Sequence, residues 1–102
     1  MAWIGVDLDG TLAHYDKGQD SDHIGAPIPA MVSRVKGWIA EGKSVRIFTA
    51  RFEGHEYIEA WCLEHVGRVL PITNQKSFDM IELWDDRAIQ IVPNTGARAD
   101  GR

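Results

Sequence analysis

From Trp3 to Trp84, short apolar runs alternate with segments of helical period, and this alternation leaves few folds open to the chain. Trp3 to Val6 is short, apolar and partly β-branched, which suits a strand buried on both faces. Ile28, Met31, Val32, Val35, Trp38 and Ile39 then recur at helical spacing, with Pro29 in the first turn and Gly42 after the last. Ser44 to Thr49, "SVRIFT", reads as a second strand. A second helix is expected from about Gly54, with Tyr57, Ile58, Trp61, Cys62, His65 and Val66 on one face and Gly67 as its stop. "RVLPIT", Arg68 to Thr73, is a weaker strand that Pro71 confines to an edge. "MIELW", Met80 to Trp84, is another strand, and "IQIV", Ile89 to Val92, offers a last one.

Strands alternating with helices predict right-handed crossovers and a minimal Rossmann-like α/β fold of three layers with a mainly parallel sheet. Too few residues separate Trp84 from Ile89 for a parallel crossover, so the final strand is expected to be antiparallel or a mere extension. At 102 residues the chain is long enough for one core and too short for two. That core is assigned to residues 1–93, and the Gly- and Ala-rich tail, 94–102, is expected to be loosely ordered.

Eleven Lys and Arg against fifteen Asp and Glu give a net charge of −4, which argues against general nucleic-acid binding. Cys62 is alone, so there is no disulfide framework, and a reducing cytoplasm is the expected setting. The apolar runs fall short of membrane-spanning length, so no membrane partner is expected.

The first apolar run ends in "DLDGT", Asp7 to Thr11. Two carboxylates so close at the tip of a buried strand repel each other and call for a positive charge between them. In an open α/β sheet, ligands bind beyond the carboxyl ends of the strands. The residues just past each strand are therefore the candidates: Asp7, Asp9, Gly10 and Thr11; Thr49 and Arg51; Lys76 in the loop after the third; and Asp85, Asp86 and Arg87. Carboxylates suit a hard divalent cation such as Mg²⁺, which leaves coordination positions for phosphate. Hydroxyl and ammonium donors suit the phosphate oxygens.

"DLDGT", Thr49 at the end of an apolar strand, Lys76, and "WDDRA" from Trp84 to Ala88 resemble, in order, the four motifs of the haloacid dehalogenase superfamily. The resemblance spans nearly the whole chain up to Val92. It implies a Mg²⁺-dependent phosphomonoester hydrolase in which Asp7 is the nucleophile and carries an aspartyl-phosphate. Asp9 would pass the proton to the leaving alcohol and then activate water. Thr49 and Lys76 would hold the phosphoryl group, with Gly10, Ala50 and Arg51 lining its seat. Asp7, the Asp9 carbonyl and Asp85 would hold the metal, with Asp86 among them or behind them.

Within that family, mutases need a cap domain, and this chain has no segment long enough for one. The loop from Leu12 to Pro27 forms at most a small flap, and an open site favours hydrolysis of a small ester or of a phosphorylated polymer end. "TAR" and "DDR" also resemble the 3′-phosphatase portion of polynucleotide kinases.

Other readings are weaker. A calcium loop would need Gly at its sixth position, whereas Gly10 is fourth counting from Asp7. Asp85 and Asp86 alone would serve as helix caps. "HEYIE" lacks the second histidine of a zinc helix, so His55, Cys62 and His65 are read as packing. Trp84 is expected to wall one side of the site. A phospho-accepting signalling domain also combines acids, Thr and Lys around Mg²⁺, but there the adjacent acidic pair ends the first strand, while here Asp85-Asp86 comes last. Oligomeric state is not fixed by the sequence.

Overall fold

The computed structural model describes residues 1–18 and 20–102; Gln19, inside the expected flap, lies outside the described residues. Four strands form one sheet in the order β3-β2-β1-β4, with β1 Trp3–Asp7, β2 Ser44–Phe48, β3 Ile72–Thr73 and β4 Met80–Trp84. Two helices connect them: α1 Pro29–Ala40 and α2 His55–His65. Every strand pair is parallel, with Ile4 opposite Val45, Val6 opposite Ile47 and Asp7 opposite Phe48. This is the small Rossmann-like α/β fold without a cap that the alternation of elements predicts.

The local chemistry explains the elements. Proline opens α1, where a missing N–H costs nothing. Gly42, at φ 82°, closes it as the Lys43 N–H turns back to the Trp38 carbonyl. Gly67 ends α2 in the same way, its N–H donating to the Cys62 carbonyl. Gly5 sits in a central strand because a Cβ there would come within 3.2 Å of Leu83 and of the Trp3 ring.

The path β1 to β2 to β3 steps twice in one direction, so two right-handed crossovers put both helices on the same face. Ile4, Val6, Val45 and Ile47 meet Val32 and Val35 of α1 and Ile58, Trp61 and Cys62 of α2 in a single core. The connection from β3 must then travel from one sheet edge to the other. Residues 74–79 do this on the second face, over Trp3, whose indole N–H donates to Ser77 Oγ at 2.9 Å. Arg46 lies 4.4 Å from the Trp3 ring centroid, so the ring is buried between a cation and this strap. The third layer is therefore an irregular strap, not a helix.

Three boundaries differ from expectation. Of "RVLPIT", only Ile72 and Thr73 pair; the Pro71 carbonyl still receives the Ile47 N–H. "IQIV" adds no strand to the sheet: Ile91 bridges antiparallel to Arg98. The tail is part of that turn-back, with Val92 N–H on the Ala97 carbonyl and Ala99 N–H on the Gln90 carbonyl. Too short to cross back over the sheet, the segment satisfies its own backbone instead. Among the described residues no helix is long and apolar enough to cross a membrane.

Candidate active site

The turn after β1 is built by alternation. Leu8 and Leu12 are wholly buried, each contributing about 1.5–3 kcal/mol of burial, and they anchor the turn from below. Asp7 and Asp9, interleaved with Leu8, both line an open cleft of about 790 Å³ above the carboxyl edge of the sheet. Gly10 turns the chain at φ 92°. A Cβ on Gly10 would lie 2.5 Å from Asp86 Oδ2, so this glycine makes room for Asp86 and does not line the cleft.

Asp7, Asp85 and Asp86 converge: each offers a carboxylate oxygen, and these oxygens lie within 4.8 Å of one another. Thr11, almost wholly buried, holds two of the three. Its Oγ1 lies 3.3 Å from Asp7 Oδ2 and 3.2 Å from Asp86 Oδ1, and accepts the Asp86 backbone N–H at 2.9 Å. Among the described residues no ion pair involves any of the three acids. Burial, followed by the hydrogen bond and charge of Asp86 and the charge of Asp85, pushes the Asp7 carboxyl up to about 7. An all-oxygen, all-anionic donor set that lacks a protein cation fits a hard divalent metal such as Mg²⁺.

Asp9 stands apart from this cluster. Its two carboxylate oxygens accept from Arg51 Nε and Nη2, each at 2.8 Å. The Asp9 side chain is therefore not one of the converging metal ligands, because the guanidinium already supplies its positive partner. Arg51 is correspondingly not free for substrate. Its remaining bonds go to the carbonyls of Ser21 and His23, at 3.2 and 2.9 Å. The Asp9 hydrogen bond and charge raise the Arg51 guanidinium further above its ordinary range.

Thr49 is buried at the mouth of β2, where its N–H donates to the Thr73 carbonyl. Its hydroxyl accepts the Arg51 N–H at 3.1 Å and lines the cleft, as does Ala50. Among the described residues that hydroxyl donates to no acceptor, so its proton is available to an oxyanion.

Lys76 does not reach the cleft. It is exposed on the strap, and Asn74, two residues earlier, lines the cleft in its place. Trp84 is not a wall of the site either. It stacks on Trp38 with ring centroids 5.2 Å apart, carries Arg34 over its ring, and donates to Glu82. Cys62 is core, its thiol pushed up to about 11 by burial, and His65 packs on Trp61. Tyr15, Phe52, Glu53, Asp20 and Arg87 complete the rim. Of these, Phe52 carried no signal in the sequence beyond following Arg51; it is 86% exposed, unusual for a phenylalanine.

No protein-family model matches the sequence, and no curated protein matches it. Among solved structures, a conserved protein from Bacteroides thetaiotaomicron is similar in fold, with a TM-score of 0.66 and 21% identity over 89% of this chain and 80% of the other.

Proposed function

We propose that this chain is a Mg²⁺-dependent phosphomonoester hydrolase of the haloacid dehalogenase type, working through an aspartyl-phosphate on Asp7. The observation that carries the reading is the convergence of Asp7, Asp85 and Asp86 at the mouth of a cleft that also presents the Thr49 hydroxyl. Asp7, Asp85 and Asp86 would hold the cation, which when bound supplies the positive charge that lets an anionic nucleophile approach an anionic phosphate.

The chain's own groups account for the rest. Asp7 is fixed at the end of the central strand, so a carboxylate oxygen meets phosphorus without a search over rotamers. The bond from phosphorus to the ester oxygen breaks, and the departing alcohol needs a proton. Asp9, positioned by Arg51, would take the acid–base role: one of its oxygens leaves the fork to carry a proton from solvent to the alcohol, and the carboxylate then takes one from the water that releases phosphate. Thr49 donates its free hydroxyl proton to a phosphoryl oxygen.

The openness of the cleft favours hydrolysis over transfer, since water is not excluded. Asp20 and Glu53 make the rim acidic, which favours a compact phosphoester over a polynucleotide end. The test is phosphate release from a panel of sugar, nucleotide and alkyl phosphates and 3′-phosphorylated oligonucleotides, with Mg²⁺ and with a chelator. Release that needs the cation and vanishes in Asp7→Asn supports the reading. Turnover retained in Asp7→Asn rejects the nucleophile, and no release from any ester rejects the activity.

A further inference from the structure

We propose that Arg51 is a positioning residue that makes docking of the loop between His14 and Pro27 and placement of Asp9 a single event. This rests on the phosphatase reading only in its kinetic part; the coupling itself is geometric.

A guanidinium is planar and presents its donors in a fixed fork, so whatever it binds is fixed in one plane. Here one fork serves two clients. Nε and one hydrogen of Nη2 hold both oxygens of Asp9 at 2.8 Å. Nη2 also meets the His23 carbonyl at 2.9 Å, and Nη1 meets the Ser21 carbonyl at 3.2 Å. The pair is largely withdrawn from water, with the Arg51 and Asp9 side chains 14% and 19% exposed, so these bonds are weakly screened.

Among the described residues the loop's other hydrogen bonds to the rest of the protein lie near its ends. His14 N–H donates to the Ala26 carbonyl, Ile28 N–H to the Leu12 carbonyl, and Trp61 Nε1 to the Gly25 carbonyl. Toward the tip, Ser21 packs against Gly54, where a Cβ would lie 2.7 Å from its carbonyl oxygen; the glycine admits the loop but does not bind it. Among the described residues the hydrogen bonds that fasten Ser21 and His23 to the body of the protein come from Arg51. Release of Asp9 would leave the fork without its charged anchor, and release of the loop would leave Asp9 free to rotate.

The test measures amide hydrogen exchange by NMR in the full chain, comparing the wild type with Asp9→Asn, Arg51→Lys and Arg51→Met. The reporter is the His23 amide, whose own bond is to the Asp20 carbonyl in the turn that Arg51 clamps through the Ser21 and His23 carbonyls, and the Ile47 amide, in the central sheet, is the fold control. A loop coupled to Asp9 exchanges at His23 about tenfold faster or more in Asp9→Asn and in both Arg51 variants, with Ile47 unchanged, as expected for losing hydrogen bonds to a charged group. Wild-type exchange at His23 in Asp9→Asn overturns the coupling, even if Arg51→Met fails to fold.

With a hydrolysed ester in hand, Arg51→Lys should lower kcat about tenfold or more and leave KM within about twofold, because it disturbs proton transfer and not ground-state binding. A raised KM with kcat preserved makes Arg51 a substrate contact and overturns the assignment. If the wild type releases no phosphate, the phosphatase reading fails, while the exchange result still decides the coupling.

Discussion

The Thr11 hydroxyl accepts the backbone N–H of Asp86 at 2.9 Å, joining the turn after β1 to the end of β4 across 75 positions of sequence. The same oxygen lies 3.2 Å from the Asp86 carboxylate and 3.3 Å from that of Asp7. One buried hydroxyl thereby sets the spacing of two acids that would otherwise separate. Thr11→Val keeps the shape and removes the oxygen, leaving a peptide N–H without its acceptor. It should cost about 1–3 kcal/mol in urea denaturation, and Thr11→Ser distinctly less. Equal losses in the two variants would show that the methyl group, not the hydroxyl, matters at this position.

Gly10 contributes to the same junction by what it lacks. Alanine at this position needs φ near 92° and sets its Cβ 2.5 Å from Asp86 Oδ2 and 2.9 Å from Cγ. Gly10→Ala should cost about 1–3 kcal/mol in backbone strain. By displacing Asp86 it should also weaken divalent-cation binding about tenfold or more in calorimetric titration. In an Asp86→Ala background the collision is relieved, so the additional loss on cation binding from Gly10→Ala should shrink. Strict additivity of the two changes would contradict the contact.

How much of this was legible in the sequence depends on range. Pro29, Gly42, Gly54 and Gly67 act through their own backbone, so both helices could be placed from them to within a residue or so. The parallel sheet emerged from the same alternation. The convergence of Asp7 with Asp85 and Asp86 was visible because each closes an apolar run, and strand ends share one edge. Two acids two residues apart do not announce that the side chain of one of them, Asp9, meets an arginine 42 residues on and so stands outside the carboxylate cluster. Lys76 and Trp84 were misjudged for a related reason. The strap across the second face has no periodic pattern, and the partner of Trp84 is Trp38, on a helix whose position over the sheet no local spacing reveals.

Trp3 tests that strap. The residue is 1% exposed, beneath Ser77 on one side and Arg46 on the other. Trp3→Ala removes a large buried ring and should cost about 3–5 kcal/mol in denaturation. Trp3→Phe keeps most of the apolar area but loses the bond to Ser77, and should cost about 1–2 kcal/mol. If truncation to alanine were nearly neutral, the strap would not be a packed layer.

At Asp7, pH and cation act on one group. Its carboxyl titrates near 3.8 in an unfolded chain and is raised to about 7 in the folded one. Between those values the folded state holds a proton that the unfolded state has lost, so stability falls as pH rises through this window and levels off above about 7. The stabilising contribution is complete below pH 3.8 and gone above about 7. Asp7→Asn has no such proton, and its stability should be flatter over the window once the other acids are allowed for. At pH 8, with chelator, the variant should exceed the wild type by about 1–2 kcal/mol, a figure reduced for screening at the open cleft. Millimolar Mg²⁺ should reverse the order, because a cation that binds only the folded, ionised cluster stabilises it by mass action. Thermal denaturation of both proteins at pH 5 and 8, with and without Mg²⁺, measures all of these effects together. A wild type no more stabilised by Mg²⁺ at pH 8 than Asp7→Asn would mean that Asp7 does not share in holding the ion.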